Sequence, residues 1–166
     1  PGVTQPGKRS NHPIVLTDVM ATCAELLKFE LPANAAEDSV SLKPWLAGNK
    51  TDEPVHQAVV HHSAEGHFAI RKGPWKLLFC RGSGGWSPPR EPEALRQGLP
   101  PRQLYHLGND PKETTNLQSK HPEIVEELTA DLRQIVEQGR SNAGPRQANH
   151  GNAAWWSRLP WDRPID

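Results

Sequence analysis

Hydrophobic and polar positions change period twice along the chain. Residues 1–13 are rich in Gly, Pro, Lys and polar groups without an apolar period, and read as a leading loop. Met20, Cys23, Leu26 and Leu27 then recur at helical spacing on one face, and Thr17 or Asp18 can accept from the free amides of a first turn. This predicts a helix from about Asp18 to Lys28, ended by Leu31-Pro32 because the residue before proline is pushed out of the helical region. Ser41 to Ala47 reads as a second short turn closing at Gly48. From Gln57 the period shortens: Ala58, Val59 and Val60 open an apolar run, Phe68 and Ile70 alternate with Ala69 and Arg71, and Leu77 to Phe79 follow Trp75. Three strands are predicted, joined by turns at Ala64-Glu65-Gly66 and Lys72-Gly73-Pro74. Connections this short fit an antiparallel meander. Arg81 to Pro101 reads as a loop of Gly, Ser, Pro and Trp, and Gln103 to Leu107 as a fourth strand.

The clearest helix comes last. Pro122 suits the first helical position, Glu123 favours the positive end of the dipole, and Ile124, Val125, Leu128, Leu132, Ile135 and Val136 form one apolar stripe before Gly139. The gain from burying that stripe falls short of the cost of ordering the backbone, so the helix needs a sheet to cover. The fold class is therefore α+β: a small four-stranded antiparallel sheet packed by a C-terminal amphipathic helix. Trp155, Trp156 and Trp161 lie in an otherwise irregular tail, which is expected to pack on the body.

Composition narrows the function. The 166 residues include 17 Pro and 13 Gly, which predicts many turns and disfavours a helical bundle. Formal net charge is +0, which argues against a nucleic-acid partner, and no stretch is long and apolar enough to cross a membrane. The zero conceals two opposed segments. Arg71, Lys72, Lys76, Arg81 and Arg90 fall in a stretch from Gly66 to Arg90 with no acid, whereas Asp110 to Asp131 is mostly acidic. The basic stretch can present cations and loop amides to an anion, or Arg71 and Lys76 can simply pair with the acidic last helix.

His61 and His62 are adjacent on a predicted strand, so they point to opposite faces. They read as a ligand contact, as a structural or exposed pair, or, less in keeping with the absence of Cys or carboxylates at zinc spacing, as metal ligands. Arg81-Gly82-Ser83-Gly84-Gly85-Trp86-Ser87 lacks the Lys and following helix of a phosphate-binding P-loop. Its Trp86 can stack on a sugar or pack beneath its own loop. No Gly-x-Ser-x-Gly elbow is present, and Glu126 and Glu127 read as a solvated helix face. Cys23 and Cys80 are too few for a disulfide framework.

Three segments in order resemble the C-terminal part of arylsulfatase-type sulfatases of the alkaline-phosphatase superfamily. They are Val59-Val60-His61-His62-Ser63, then Phe68 to Leu77 with Arg71-Lys72-Gly73-Pro74-Trp75, then Gln103-Leu104-Tyr105-His106-Leu107 running on to Asn116-Leu117. Leu16 to Thr22, Asp38 to Leu42 and Gly139-Arg140-Ser141 are similar to that family too. The resemblance implies residues 1–50 as a tail end, with its helix, of a larger N-terminal α/β domain, 51–140 as the C-terminal subdomain, and 141–166 as a Trp-rich tail. It also implies sulfate-ester hydrolysis by a formylglycine nucleophile beside calcium. Cys23 and Cys80 are not followed by the x-Pro/Ala-x-Arg that formylglycine formation needs, so both groups are expected in an N-terminal domain preceding Pro1. No catalytic and no metal residue is carried over. His61, His62, Arg81, Ser83 and Trp86 are the expected contacts to a sulfated carbohydrate or aryl sulfate. The family's frequent export implies a periplasmic or secreted location. A free-standing anion- or sulfated-glycan-binding module is the alternative, and a related phosphoesterase a third reading. An exposed apolar face would favour the sulfatase part over the free-standing module.

Overall fold

The structure is a computed structural model that describes residues 4, 7, 9–48, 53–150 and 159. Trp155, Trp156 and Trp161, on which the packed-tail expectation rests, lie outside the described residues. The elements are α1 (Asp18–Leu27), α2 (Lys43–Leu46), β1 (Val59–His62), β2 (Phe68–Lys72), β3 (Trp75–Leu78), α3 (Glu91–Arg96), β4 (Gln103–His106) and α4 (Pro122–Gln138). Two compact units form, one from 1–59 with 138–148 and the other from 60–137 with 149–166.

The second unit contains the expected meander. Its strands lie in the order β1-β2-β3-β4, with Ile70 opposite Leu77 and Leu77 opposite Leu104. Directly opposed residues share a face. These three are fully buried, as are Leu128 and Leu132 of α4. Lys72 shares the Ile70 face, two residues along, and its ammonium reaches Glu127 and Asp131 of α4, each at 2.8 Å. That pair of contacts fixes α4 over the Ile70 face. Beyond β4, Leu104 N–H donates to Asn116 Oδ1 and the Asn116 amide returns to Arg102 O, which occupies polar groups of an edge strand.

The other face carries the Arg71–Lys76–Tyr105 and Ala69–Leu78–Gln103 rows. Lys76 Nζ meets Glu113 at 2.6 Å there. The alternative that Arg71 and Lys76 pair with the last helix is thus corrected in detail: Lys72 makes that pair, while Arg71 Nε donates to Gly73 O. Inside the segment expected to be loop throughout, α3 forms. Pro92 in its first turn, Glu91 and Glu93 at its positive end and Arg96 at its negative end are ordinary helix signals, but six residues are too short a window to show a period.

In the first unit, α1 starts where expected, by different means. Thr17 makes no side-chain cap; its hydroxyl donates to Asp38 O, and Ser39 Oγ accepts from Ala21 N–H instead. The end also differs from expectation. Lys28 adopts φ 56° and Phe29 N–H returns to Ala24 O at 2.8 Å, closing the helix before Leu31-Pro32 is reached. Asp18 is fully buried. Its carboxylate accepts from Val15 N–H and Val40 N–H and meets His56 Nε2 at 2.9 Å. Gly139-Arg140-Ser141 ties this unit together: Arg140 donates to Ala33 O and Pro145 O, and Ser141 N–H to Asp38. A Cβ on Gly139 would lie 2.2 Å from Gln147 O, so only glycine fits. Among the described residues no helix is long and apolar enough to cross a membrane.

Candidate substrate-facing loop

The loop after β3 is fastened before it presents anything. Glu91, at the start of α3, accepts from Arg81 N–H at 2.9 Å and Gly82 N–H at 3.0 Å. Ser83 N–H donates to Pro89 O, Ser83 Oγ donates to Ser87 O at 2.6 Å and accepts from Gly85 N–H. Gln103 on β4 reaches down to Cys80 O and Gly82 O, the latter at 2.7 Å. The expectation that this loop offers amides to an external anion is therefore corrected at four positions: those of Arg81, Gly82, Ser83 and Gly85 already have partners within the protein. Glu91 is the loop's own anion.

Close approach explains two of its glycines. A Cβ on Gly82 would lie 2.4 Å from Pro89 O, and Gly84, at φ +70°, sits against Ser63 and the Cys80 sulfur. Through Gly84 and Gly85 the loop abuts the turn that follows His61 and His62; Glu65 N–H donates to Gly84 O at 3.4 Å. The loop and the histidine strand are neighbours as a result.

The two histidines do face opposite ways. The His62 ring stands edge-on to Phe68 at 4.1 Å between centroids, on the α4 side of the sheet. Partial loss of solvent holds its imidazole below the ordinary value. His61 is held down first by the same desolvation and then by the Lys76 cation, with Glu113 opposing, which puts it on the Lys76 side. Both rings are outwardly exposed and favour the neutral form. His56 is turned to Asp18 in the other unit, and among the described residues no three His, Cys, Asp or Glu converge on a metal.

The remaining expected residues divide. Trp86 is 78% exposed at the loop's tip. Ser83 is exposed, but its hydroxyl is occupied by Ser87 and Gly85. Arg81 is half-buried, with Nη1 donating to Leu99 O at 2.5 Å, so part of its guanidinium works as a strut. Cys80 is buried, and that burial pushes its thiol up to about 11, which leaves it unreactive. Sequence reasoning missed Glu91 and Gln103. Glu91 could have been found, as the first acid after an acid-free basic stretch and beside Pro92; nothing local marks Gln103.

A sequence profile for the C-terminal region of aryl-sulfatase matches residues 54–164. The chain is 33% identical over 118 residues to an N-acetylgalactosamine-6-O-sulfatase of Bacteroides thetaiotaomicron, covering 71% of this chain and 22% of that protein. It is 26% identical to human arylsulfatase D, covering 99% of this chain and 30% of that one. A solved structure from work on glycosaminoglycan metabolism by Bacteroides thetaiotaomicron aligns with TM-score 0.55 at 33% identity, covering 71% of this chain and 24% of that one. A 2-O GAG sulfatase, 22% identical, aligns with TM-score 0.59 over 91% of this chain and 34% of its own, and shares the fold. The chain thus spans from 19% to 30% of the length of the curated relatives it matches.

Proposed function

Because the chain belongs to the sulfatase family and matches its C-terminal region, we propose that it is one region of an enzyme hydrolysing sulfate esters and forms part of the rim of that enzyme's substrate cleft. The observation that carries this is Trp86: a large apolar ring held in solvent by a loop whose backbone is satisfied internally. A ring buried beneath its loop would serve folding; one displayed on a braced loop serves contact. Such an indole can lie flat on a sugar ring, and the relatives include an N-acetylgalactosamine-6-O-sulfatase, so a sulfated carbohydrate is the substrate class that fits best. His61 and His62, held neutral, contribute hydrogen bonds rather than charge. The exposed part of the Arg81 guanidinium completes the contact set, while Ser83, whose hydroxyl is bonded to Ser87 and Gly85, braces the loop.

Nucleophile and metal are assigned to a preceding region. Cys23 is followed by Ala24-Glu25-Leu26-Leu27 and Cys80 by Arg81-Gly82-Ser83-Gly84, so formylglycine does not arise at either. No step is routed through residues of this chain. Export to the periplasm or outside the cell remains part of the same proposal.

Trp86→Ala in the longer polypeptide is expected to raise KM for a sulfated oligosaccharide about tenfold, equivalent to ~1.4 kcal/mol, with kcat little changed. An unchanged KM would overturn the rim assignment.

A further inference from the structure

The loop that displays Trp86 also displays a cation for which the protein has no use of its own. Arg90 is exposed. Its side chain makes no cap at the start of α3 and no hydrogen bond or ion pair among the described residues. The charges around it are engaged. Glu91 accepts from the Arg81 and Gly82 amides, Glu93 from Gln97 Nε2 at 3.2 Å, and Glu65 of the adjoining turn lies 4.0 Å from His67. Arg81 donates to Leu99 O, and the Arg102 guanidinium lies 5.9 Å from the centre of the Phe79 ring. A lone exposed arginine is ordinary on a protein surface; one fastened beside an exposed indole is not. Ser83 N–H donates to Pro89 O at 2.9 Å, so the loop closes on itself immediately before Arg90. Arg90 follows Trp86 by four positions, which limits the distance between their Cα atoms to about 14 Å, within the reach of a short oligosaccharide.

We propose that Arg90 and Trp86 together form a subsite for a second anionic group, a carboxylate or sulfate on a sugar neighbouring the one whose ester is cleaved. The indole takes the sugar ring and the guanidinium takes the charge. The inference rests on the cleft-rim reading of Trp86 and adds to it a charge requirement and the residue that sets it. Chemistry selects the ligand class. From 81 to 102 the chain has four arginines and no lysine, and the planar guanidinium fork meets two oxygens of an oxyanion at once. The lysines of the acid-free stretch are matched, Lys72 by Glu127 and Asp131 and Lys76 by Glu113, and the β1 histidines favour the neutral form. Among the described residues of this loop, Arg90 is the cation left whole for a ligand. Because Glu91, Ser83 and Gln103 hold the loop before any ligand arrives, binding does not have to order its backbone.

The test is competition against 4-nitrophenyl sulfate hydrolysis by the longer polypeptide, because an inhibition constant reads binding whether or not the competitor is itself cleaved. One relative is an N-acetylgalactosamine-6-O-sulfatase, so the competitors are a chondroitin 6-sulfate tetrasaccharide, its carboxyl-reduced form with both sulfates kept, and a carboxyl-reduced form with a single sulfate on the non-reducing end sugar. The parent is expected to bind the first about fivefold more tightly than the last, and Arg90→Gln to bring that ratio down to about one. Arg90→Lys should restore part of it, since the charge returns without the fork. The middle competitor assigns the group: a ratio kept with both sulfates present means sulfate, a ratio lost means carboxylate, and either result upholds the subsite. A ratio near one in the parent overturns the proposal. So does an unchanged ratio in Arg90→Gln whose melting temperature stays within about 1 °C of the parent's. Trp86→Ala should weaken all three competitors alike. If it does so while Arg90→Gln keeps the ratio, the rim reading stands and the second-anion subsite falls; if Trp86→Ala leaves every constant unchanged, the rim reading fails and the subsite with it.

Discussion

Asp18 places a carboxylate where no water reaches, with Val15 N–H, Val40 N–H and His56 Nε2 all directed at its two oxygens. Replacing one oxygen by an amide nitrogen in Asp18→Asn sets a donor against a donor and leaves His56 short of its partner. The loss is expected to be on the order of 3–5 kcal/mol, read as a fall in the urea midpoint at unchanged slope. The sequence showed this residue only as a candidate helix cap, since an acid at a helix start is one signal and its true partner lies 38 positions away. His61 and His62 make a second residue-scale prediction. Their pKa values are depressed in the folded chain, so the unfolded state binds protons first as pH falls. The stability they contribute is complete above the unfolded value of about 6.5 and is lost as pH drops through the folded values. Thermal melts of the parent and of a His61→Gln, His62→Gln double variant should keep a constant gap at neutral pH, with the parent losing stability relative to the variant as the pH falls below about 6.5; an unaltered pH profile in the variant would refute the assignment.

At the scale of elements, the strands and α4 were legible because each repeats its signal: period two between Gly-bearing turns for the meander, and a six-residue apolar stripe for α4. Leu132 lies at the centre of that stripe and is fully buried, so Leu132→Ala is expected to destabilise the chain by about 2–5 kcal/mol, measurable by chemical denaturation. For α1 the apolar face was legible in the sequence, but its exposure was not. Met20, Cys23, Leu26 and Leu27 do share one side, but it is the exposed side, while the inward contacts are made by Asp18, Thr22 and Ala24. Periodicity identifies an apolar face and says nothing of which neighbour covers it. The braced loop shows a similar limit. Its glycines were visible, yet the groups that shape it, Glu91 and Gln103, act across 9 to 23 positions. Glu91→Ala removes the acceptor for two amides, each a charge-assisted bond of about 1.5–3 kcal/mol, and should lower the steady-state fluorescence anisotropy of the Trp86 loop in a chain whose other tryptophans are replaced by Phe. Unchanged anisotropy would mean that the loop is held by its remaining contacts alone.

Across the whole molecule, the two oppositely charged segments are joined by specific pairs, Lys72 with Glu127 and Asp131, and Lys76 with Glu113. An acid-free stretch therefore does not amount to a free cationic surface: two of its five cations are matched by carboxylates and part of a third supports a loop. Exposed Arg90 and the indole of Trp86 remain toward solvent in the same loop. The same inventory bears on catalysis. Sulfate-ester cleavage needs a nucleophile and positive charge placed against the leaving oxygens. Cys80 is buried with its thiol pushed up to about 11, Cys23 stands on an apolar face, and no metal-holding cluster occurs among the described residues. The 166-residue chain alone is accordingly expected to release no 4-nitrophenol from 4-nitrophenyl sulfate above the buffer rate, with or without added calcium, whereas the polypeptide that includes a preceding catalytic region should do so. Turnover by the short chain would place a complete sulfatase centre within these residues and remove the reason for assigning one upstream.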